Sequence, residues 1–247
     1  MRILFFADNF PPEVNACANR TYEHCREWVA QGHDVTVITS VPNFPQGRVH
    51  DGFRNRWRRQ VEMVDGIRVV RVWTWIAPNE GTIKRIIDQM SYLFSSSLAS
   101  LREKRPDVIV GTSPQFFAAC AAYAASVVHR RPWIFELRDI WPESIRAVGA
   151  LGDSKLLDLM EKLELFLYRK ADHIVSVTRS FREELGKRGI DTGKISVTTN
   201  GVDLARFAKR PRDAQLASRL GLQGKMVIGY IGTIGMAHGL EIVPRAA

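Results

Sequence analysis

Hydrophobic positions along the chain fall into two alternating kinds of run. Short, nearly unbroken apolar stretches, RILFFA (2–7), DVTVIT (34–39), DVIVGT (107–112), PWIFELR (132–138), HIVSVT (173–178) and KISVTT (194–199), have the length and continuity of strands buried on both faces. Between them, longer segments predict helices over about 18–31, 82–104, 115–129, 154–171 and up to about 188. Strand alternating with helix predicts an α/β fold, a Rossmann-like parallel sheet with helices on both faces. In the helix over 154–171, Leu156, Leu159, Leu163, Phe166 and Leu167 share the apolar face.

Punctuation between the runs refines this outline. Gly32 sits where a helix-ending glycine belongs. Asp65-Gly66 makes VEMVDGIRVVRVW a hairpin. The alanines of AACAAYAASVV (118–128) suit a helix lying close on a sheet. After Thr199 the character changes: a turn at NGVD (200–203) leads into a charged, proline-containing connector, and KMVIGYIG restarts with an apolar run and a glycine turn. The expected organisation is therefore a first domain over 1–205, a linker over 206–224, and over 225–247 the first strand-turn-helix of a second Rossmann-like domain.

Composition changes little, with 45% hydrophobic and 25% charged residues and no low-complexity tract or repeat. Three cysteines and six scattered histidines show no pairing set and no metal spacing, so no metal or cofactor is expected, and the cysteine usage points to a reducing cytoplasm. The apolar start is too short for a signal peptide, and no run reaches the roughly 20 residues of a membrane span.

Charge does change the picture. A net charge of +9 and a pI near 9.8 predict an anionic partner: nucleic acid, a phosphorylated ligand or a membrane surface. Arg48, Arg54, Arg56, Arg58 and Arg59 gather around Phe53 and Trp57, with Asp51 as the one acid. A second set, Lys84, Arg85, Arg102, Lys104 and Arg105, marks the ends of the following helix. Ordinary solvated surface would account for either set alone; interleaved aromatics suit a lipid headgroup region or a nucleic acid equally well.

Open parallel sheets bind ligands at the carboxyl ends of their strands. Three loops there carry candidate chemistry. FPPEVNACANR feeds a helix N-terminus that favours an anion, with Pro12 and Asn15 in the loop and Arg20 further into the helix; it lacks the dinucleotide fingerprint, and an ordinary connection is the plain alternative. DIWPES places Asp139 at a strand end beside Glu136, Arg138 and Glu143. That carboxylate could take a proton or fix a sugar hydroxyl, with Arg138 holding it ionised, or it could be a cap or part of a salt bridge. Asn200 and Gly201 favour a tight turn of positive φ.

Taken in order, FFADNFPPE, GHDVTVITSVPNFPQG, VEMVDGIRVVRVWTW, RPDVIVGTSPQFF, FELRDIWPES, LYRKADHIVSVT and TTNGVDLARF resemble the N-terminal domain of glycosyltransferase family 4, nearest the bacterial O-antigen and capsule enzymes that transfer fucosamine-type sugars. The resemblance covers essentially the whole chain. It implies the N-terminal half of a GT-B fold, with two Rossmann-like domains facing across a cleft, retention of anomeric configuration and no metal. YIGTIGMAHGLE would open the donor domain, with Gly232 and Gly235 near the diphosphate. Where relatives usually carry glycine in the first loop this chain has Asn15, and where many carry histidine before the aspartate it has Arg138.

The implied enzyme moves a hexosamine-type sugar from a nucleotide-diphosphate donor, UDP-linked, to a lipid-linked saccharide in surface polysaccharide synthesis at the inner face of the cytoplasmic membrane. Asp139 would orient or deprotonate. Pro12, Asn15, Arg20, Arg138, Glu143, Asn200 and Gly201 would line the substrate site, and Arg54, Arg56, Trp57, Arg58 and Arg59 would face anionic lipid. The rest of a donor domain needs on the order of 150 further residues, so the chain alone is expected to be inactive. A different reading is a non-catalytic module docking on membrane or partner, or a homodimer exchanging the segment after 225. Nucleic-acid binding ranks last.

Overall fold

The computed structural model describes residues 1–76, 82–140, 155–204, 207–232 and 239–246, excepting the side chains of 82, 83, 85, 156 and 246. They divide into two units, the first running to Asn200 and the second from Gly201 onward. In the first unit the strands are β1 (Arg2–Phe6), β2 (Asp34–Ser40), β3 (Gln60–Val64), β4 (Ile67–Val72), β5 (Val108–Thr112), β6 (Trp133–Leu137), β7 (His173–Ser176) and β8 (Ile195–Val197). Its helices are α1 (Ala16–Ala30), α2 (Thr82–Ser100), α3 (Phe116–His129), α4 (Lys155–Lys170) and α5 (Arg179–Lys187).

The eight strands form one sheet in the order β3-β4-β2-β1-β5-β6-β7-β8, parallel throughout except for the β3–β4 hairpin. Asp65 and Gly66 both take positive φ at its turn, +48° and +80°, as the dipeptide predicts. Gly32, at φ +83°, follows the end of α1. Because β1 pairs with both β2 and β5, the chain reverses direction across the sheet at β1, and the crevice above that point is where such sheets bind ligands.

Side chains alternate between two cores. Leu4 and Phe6 of β1 pack with α2, α3 and α4, whereas Ile3 and Phe5 pack beside Tyr22, Trp28 and Val29 of α1. On the first face α3 lies so close that a Cβ at Gly111 would sit 2.5 Å from the Cβ of Ala122, which is why the buried positions of α3 are mostly alanine. The other face is covered only in part. Beyond Trp28, Val108, Val110, Ile134 and Val175 floor an open apolar groove of about 440 Å³.

Three expectations need correction. The inward face of α4 is Leu157, Met160, Glu164, Leu167 and Tyr168, while Leu159, Leu163 and Phe166 are exposed. Of the expected apolar face only Leu167 is buried; the side chain of Leu156 lies outside the described residues. The true inward face looked polar because Glu164 goes in with a partner, the Tyr168 hydroxyl at 2.7 Å. Helix α2 stops at Ser100 rather than near 104: Ser100 Oγ turns back to the Ser97 carbonyl, and tight turns at Arg102 and Glu103 follow. In the second unit, α6 (Ala214–Arg219) is capped by Asp213 and α7 spans Ile242–Ala246, but 226–231 forms no buried strand. Met226, Ile228 and Ile231 are exposed, and among the described residues of this unit there is no strand for them to pair with.

Candidate functional site

The loops that follow β1, β5, β6 and β8 are tied together at the carboxyl edge of the sheet. Glu136, near the end of β6, is buried, and its Oε1 accepts from Arg20 Nε at 2.9 Å with His24 Nδ1 at 3.3 Å. Burial alone would raise this carboxyl, but the His24 hydrogen bond and the Arg20 guanidinium bring it down to about 2. The remaining guanidinium nitrogens of Arg20 reach Asn200 Oδ1 and the Thr198 carbonyl. Arg20 therefore does not face outward to a phosphate. At 7% exposed it is committed to holding β6 and the exit of β8 against α1.

Arg138 also bonds back to α1, donating to the carbonyls of Ala16 at 2.8 Å and Cys17 at 3.4 Å. Ser113 Oγ, after β5, accepts the amides of Arg138 and Asp139 and lies 3.3 Å from the Asp139 carbonyl. The half-buried Asp139 thus stands on a corner whose backbone is fixed by another loop. Gln115 Nε2 donates to Asn9 Oδ1, joining the β5 loop to the β1 loop.

At the start of α1, Asn15 is an N-cap, its Oδ1 accepting from the Ala18 amide at 2.8 Å. The side chain that departs from the expected glycine thus organises the helix terminus, and the first turn carries no acid to oppose an anion. Pro12 is exposed in the loop before it.

Sequence reasoning missed the other half of this edge. Glu13 is buried and accepts from the backbone of Phe10, Asn43 and Phe44 and from Asn9, clamping the loop after β1 to the loop after β2. Buried Arg71 joins Glu62 at 2.6 Å and the carbonyls of Ser40 and Pro11. Both left a trace: an acid inside an apolar, proline-rich loop, and the second of two arginines in the strand IRVVRV. Asp8, at the exit of β1, keeps some surface, but its carboxyl is crowded. Burial first, then Asp88 and Glu13, push it up to about 8. Asp88 of α2 is pushed up to about 6, by burial and then by Glu13.

The remaining expected residues scatter. Asn200 is exposed on the rim but takes no positive φ, nor does Gly201, so the left-handed turn expected there is not formed. Gly201 belongs to the second unit, where a Cβ would meet nothing within 4 Å. Gly232 is exposed in that unit; Gly235 and Glu143 lie outside the described residues. Arg54, Arg56, Trp57 and Arg58 are exposed, whereas Arg59 is ion-paired to Glu103. Among the described residues no three His, Cys, Asp or Glu side chains are placed to hold a metal ion.

Residues 15–201 match the family described as the glycosyl transferase 4-like domain, a span that ends one residue past the first unit. The chain belongs to that family. Its sheet is the N-terminal domain of the glycosyltransferase family 4, GT-B architecture, as the sequence resemblance implied. This family 4 chain is 28% identical to WcaI of Escherichia coli K12, named as a colanic acid biosynthesis glycosyl transferase, over all of the chain and 62% of WcaI. It is 25% identical to a GDP-mannose-dependent alpha-mannosyltransferase of Mycobacterium tuberculosis, over 95% of the chain and 56% of that enzyme. It therefore spans little more than half the length of these curated relatives.

Among solved structures, Anabaena HepE in complex with UDP-glucose superposes with a TM-score of 0.62 at 16% identity, covering 100% of this chain and 57% of HepE. Sucrose-phosphate synthase from Thermosynechococcus elongatus gives 0.62 at 12%, covering 90% and 52%. At these identities the likeness is one of fold.

Proposed function

We propose that this family 4 chain is the acceptor-side portion of a nucleotide-sugar glycosyltransferase. Transfer is with retention, from a nucleotide-diphosphate hexosamine to a lipid-linked saccharide in surface polysaccharide synthesis, at the inner face of the cytoplasmic membrane. The observation that carries the reading is the tied carboxyl edge. Arg138 on the first turn of α1, Ser113 beneath Asp139 and Arg20 on Asn200 bring four strand ends to one rim at the sheet's switch point. On that rim Asp139 orients or deprotonates the acceptor hydroxyl, and the Asn15-capped helix start faces the donor phosphates. Arg20, Arg138 and Asn200 serve by holding these groups in place.

The donor is proposed to be UDP-linked, in keeping with the sugar nucleotide in the HepE complex, while the GDP-mannose-dependent relatives make GDP the competing outcome. Family transfer depends on charge placed in advance around the departing diphosphate, and the chain alone is proposed to be inactive. Amide NMR of labelled chain titrated with UDP, GDP and UDP-N-acetylglucosamine tests the site. Shifts clustered at 15–17, 113–115 and 138–139 support it, and shifts confined elsewhere sink it. Nucleotide release above background by the chain alone would overturn the proposed inactivity.

A further inference from the structure

Helix α2 is apolar on two sides. Tyr92, Ser96 and Ala99 are buried. On the outer side Ile87, Met90, Phe94 and Leu98 are 46, 39, 67 and 56% exposed, and their spacing of three and four residues places them in one stripe, with Leu101, 53% exposed, just past the end of the helix. Ordinary surface helices turn a polar face outward, and an apolar stripe of this length marks an interaction surface.

Three contacts extend this stripe into a rim. The Trp75 amide donates to Oγ of Ser91, one turn from both Ile87 and Phe94, and leaves the Trp75 ring 54% exposed. Asn55 bonds both the amide and the carbonyl of Thr74, which draws the arginine-rich loop in beside Trp75. In that loop Trp57 is 79% exposed and stacks on Trp73 with ring centroids 3.9 Å apart. Past the end of α2, Glu103 is held by Arg59 and Arg68, so its charge is already met, and Asp88, the acid within α2, is half-buried and feels Glu13. Among the described residues, the exposed charges in that loop and at the two ends of α2 are mainly positive, Arg54, Arg56, Arg58, Lys84, Arg102 and Lys104 against Asp51.

We propose that the outer face of α2, with its tryptophan and arginine rim, is a docking surface for an anionic lipid bilayer. An apolar stripe entering the acyl boundary, tryptophans at headgroup level and basic side chains on lipid phosphates give the apolar, aromatic and basic groups of this face each a counterpart. A second copy of the chain would set this positive rim against itself. The inference rests on the membrane location proposed above and is independent of the sugar chemistry.

The test is co-sedimentation of the chain with vesicles of phosphatidylethanolamine and phosphatidylglycerol, against vesicles of phosphatidylcholine alone. Binding to the anionic vesicles that falls with salt is expected. Phe94→Asp should lower the partition coefficient about tenfold or more, and Phe94→Leu should restore most of it. Arg56→Glu with Arg58→Glu should weaken binding and flatten its salt dependence. All these side chains are exposed, so circular dichroism should be unchanged; independently of any variant at the stripe, brominated lipid should quench fluorescence that Trp75→Phe removes. No sedimentation with either vesicle would overturn the membrane location and this surface together. Anionic binding that ignores Phe94→Asp, or lacks Trp75 quenching, would overturn this surface and leave the location standing. A dimer in light scattering that Phe94→Asp dissolves would assign the face to a second copy and overturn the lipid assignment.

Discussion

The two halves of the carboxyl edge use buried carboxyls in opposite ways. On the β6–β8 side Glu136 is met by Arg20 and His24 and stays ionised to about pH 2. On the β1–β2 side Asp8 is crowded by Asp88 and Glu13 and keeps its proton to about pH 8. Glu13 itself is satisfied by amides rather than by a matching ion. The first half is a fastener, whose charge is consumed in joining α1 to β6 and β8. The second holds a protonated acid at the exit of the strand that borders the switch point, a group able to donate a hydrogen bond.

The largest effect should come from breaking the fastener. Glu136→Gln leaves the Arg20 guanidinium buried without its counter-charge and should cost about 3–5 kcal/mol in urea unfolding. Arg20→Met combined with Glu136→Leu should recover most of that loss. Equal damage from the double variant would mean the pair is more than a fastener.

The pH dependence sharpens the contrast. Between about pH 4.5 and about pH 2 the unfolded chain takes up a proton that folded Glu136 refuses, so the stability it contributes is lost as pH falls. Between about pH 4 and about pH 8 folded Asp8 holds a proton that the unfolded chain has released, so stability falls as pH rises. Asp8→Asn should remove that second slope and be the more stable protein at the alkaline end, measured by thermal unfolding across pH. A variant whose slope matches the wild type would place the proton elsewhere.

Smaller effects follow at the joints. Asn15→Ala should cost about 1 kcal/mol through the lost cap, and Asn15→Gly only a few tenths. Gly201→Ala, with open space around it and no positive φ, should stay within about 0.5 kcal/mol.

The sheet, the crossovers and the hairpin turn were legible because apolar continuity and Asp-Gly chemistry are local signals. The inward face of α4 was not, because Glu164 is buried by virtue of Tyr168, a pairing that hydrophobic counting scores as surface. The same blind spot hid Glu13 and Arg71, each of which has partners 30 to 60 residues away in sequence as well as local ones. Arg20 was found but turned the wrong way, since nothing local announces an acid 116 residues downstream. The strand expected at 226–231 had the right residues, but pairing is supplied by neighbours and is not a property of the segment alone.

The open floor formed by Val108, Val110, Ile134 and Val175 beside Trp28 also bears on how this protein is handled at the bench. A dye such as anilinonaphthalene sulfonate, used to report loosened packing, should fluoresce on that floor while the sheet above it is fully ordered. A bright dye signal would then belong to the native state, and near-ultraviolet circular dichroism is the measurement that separates folded from softened protein.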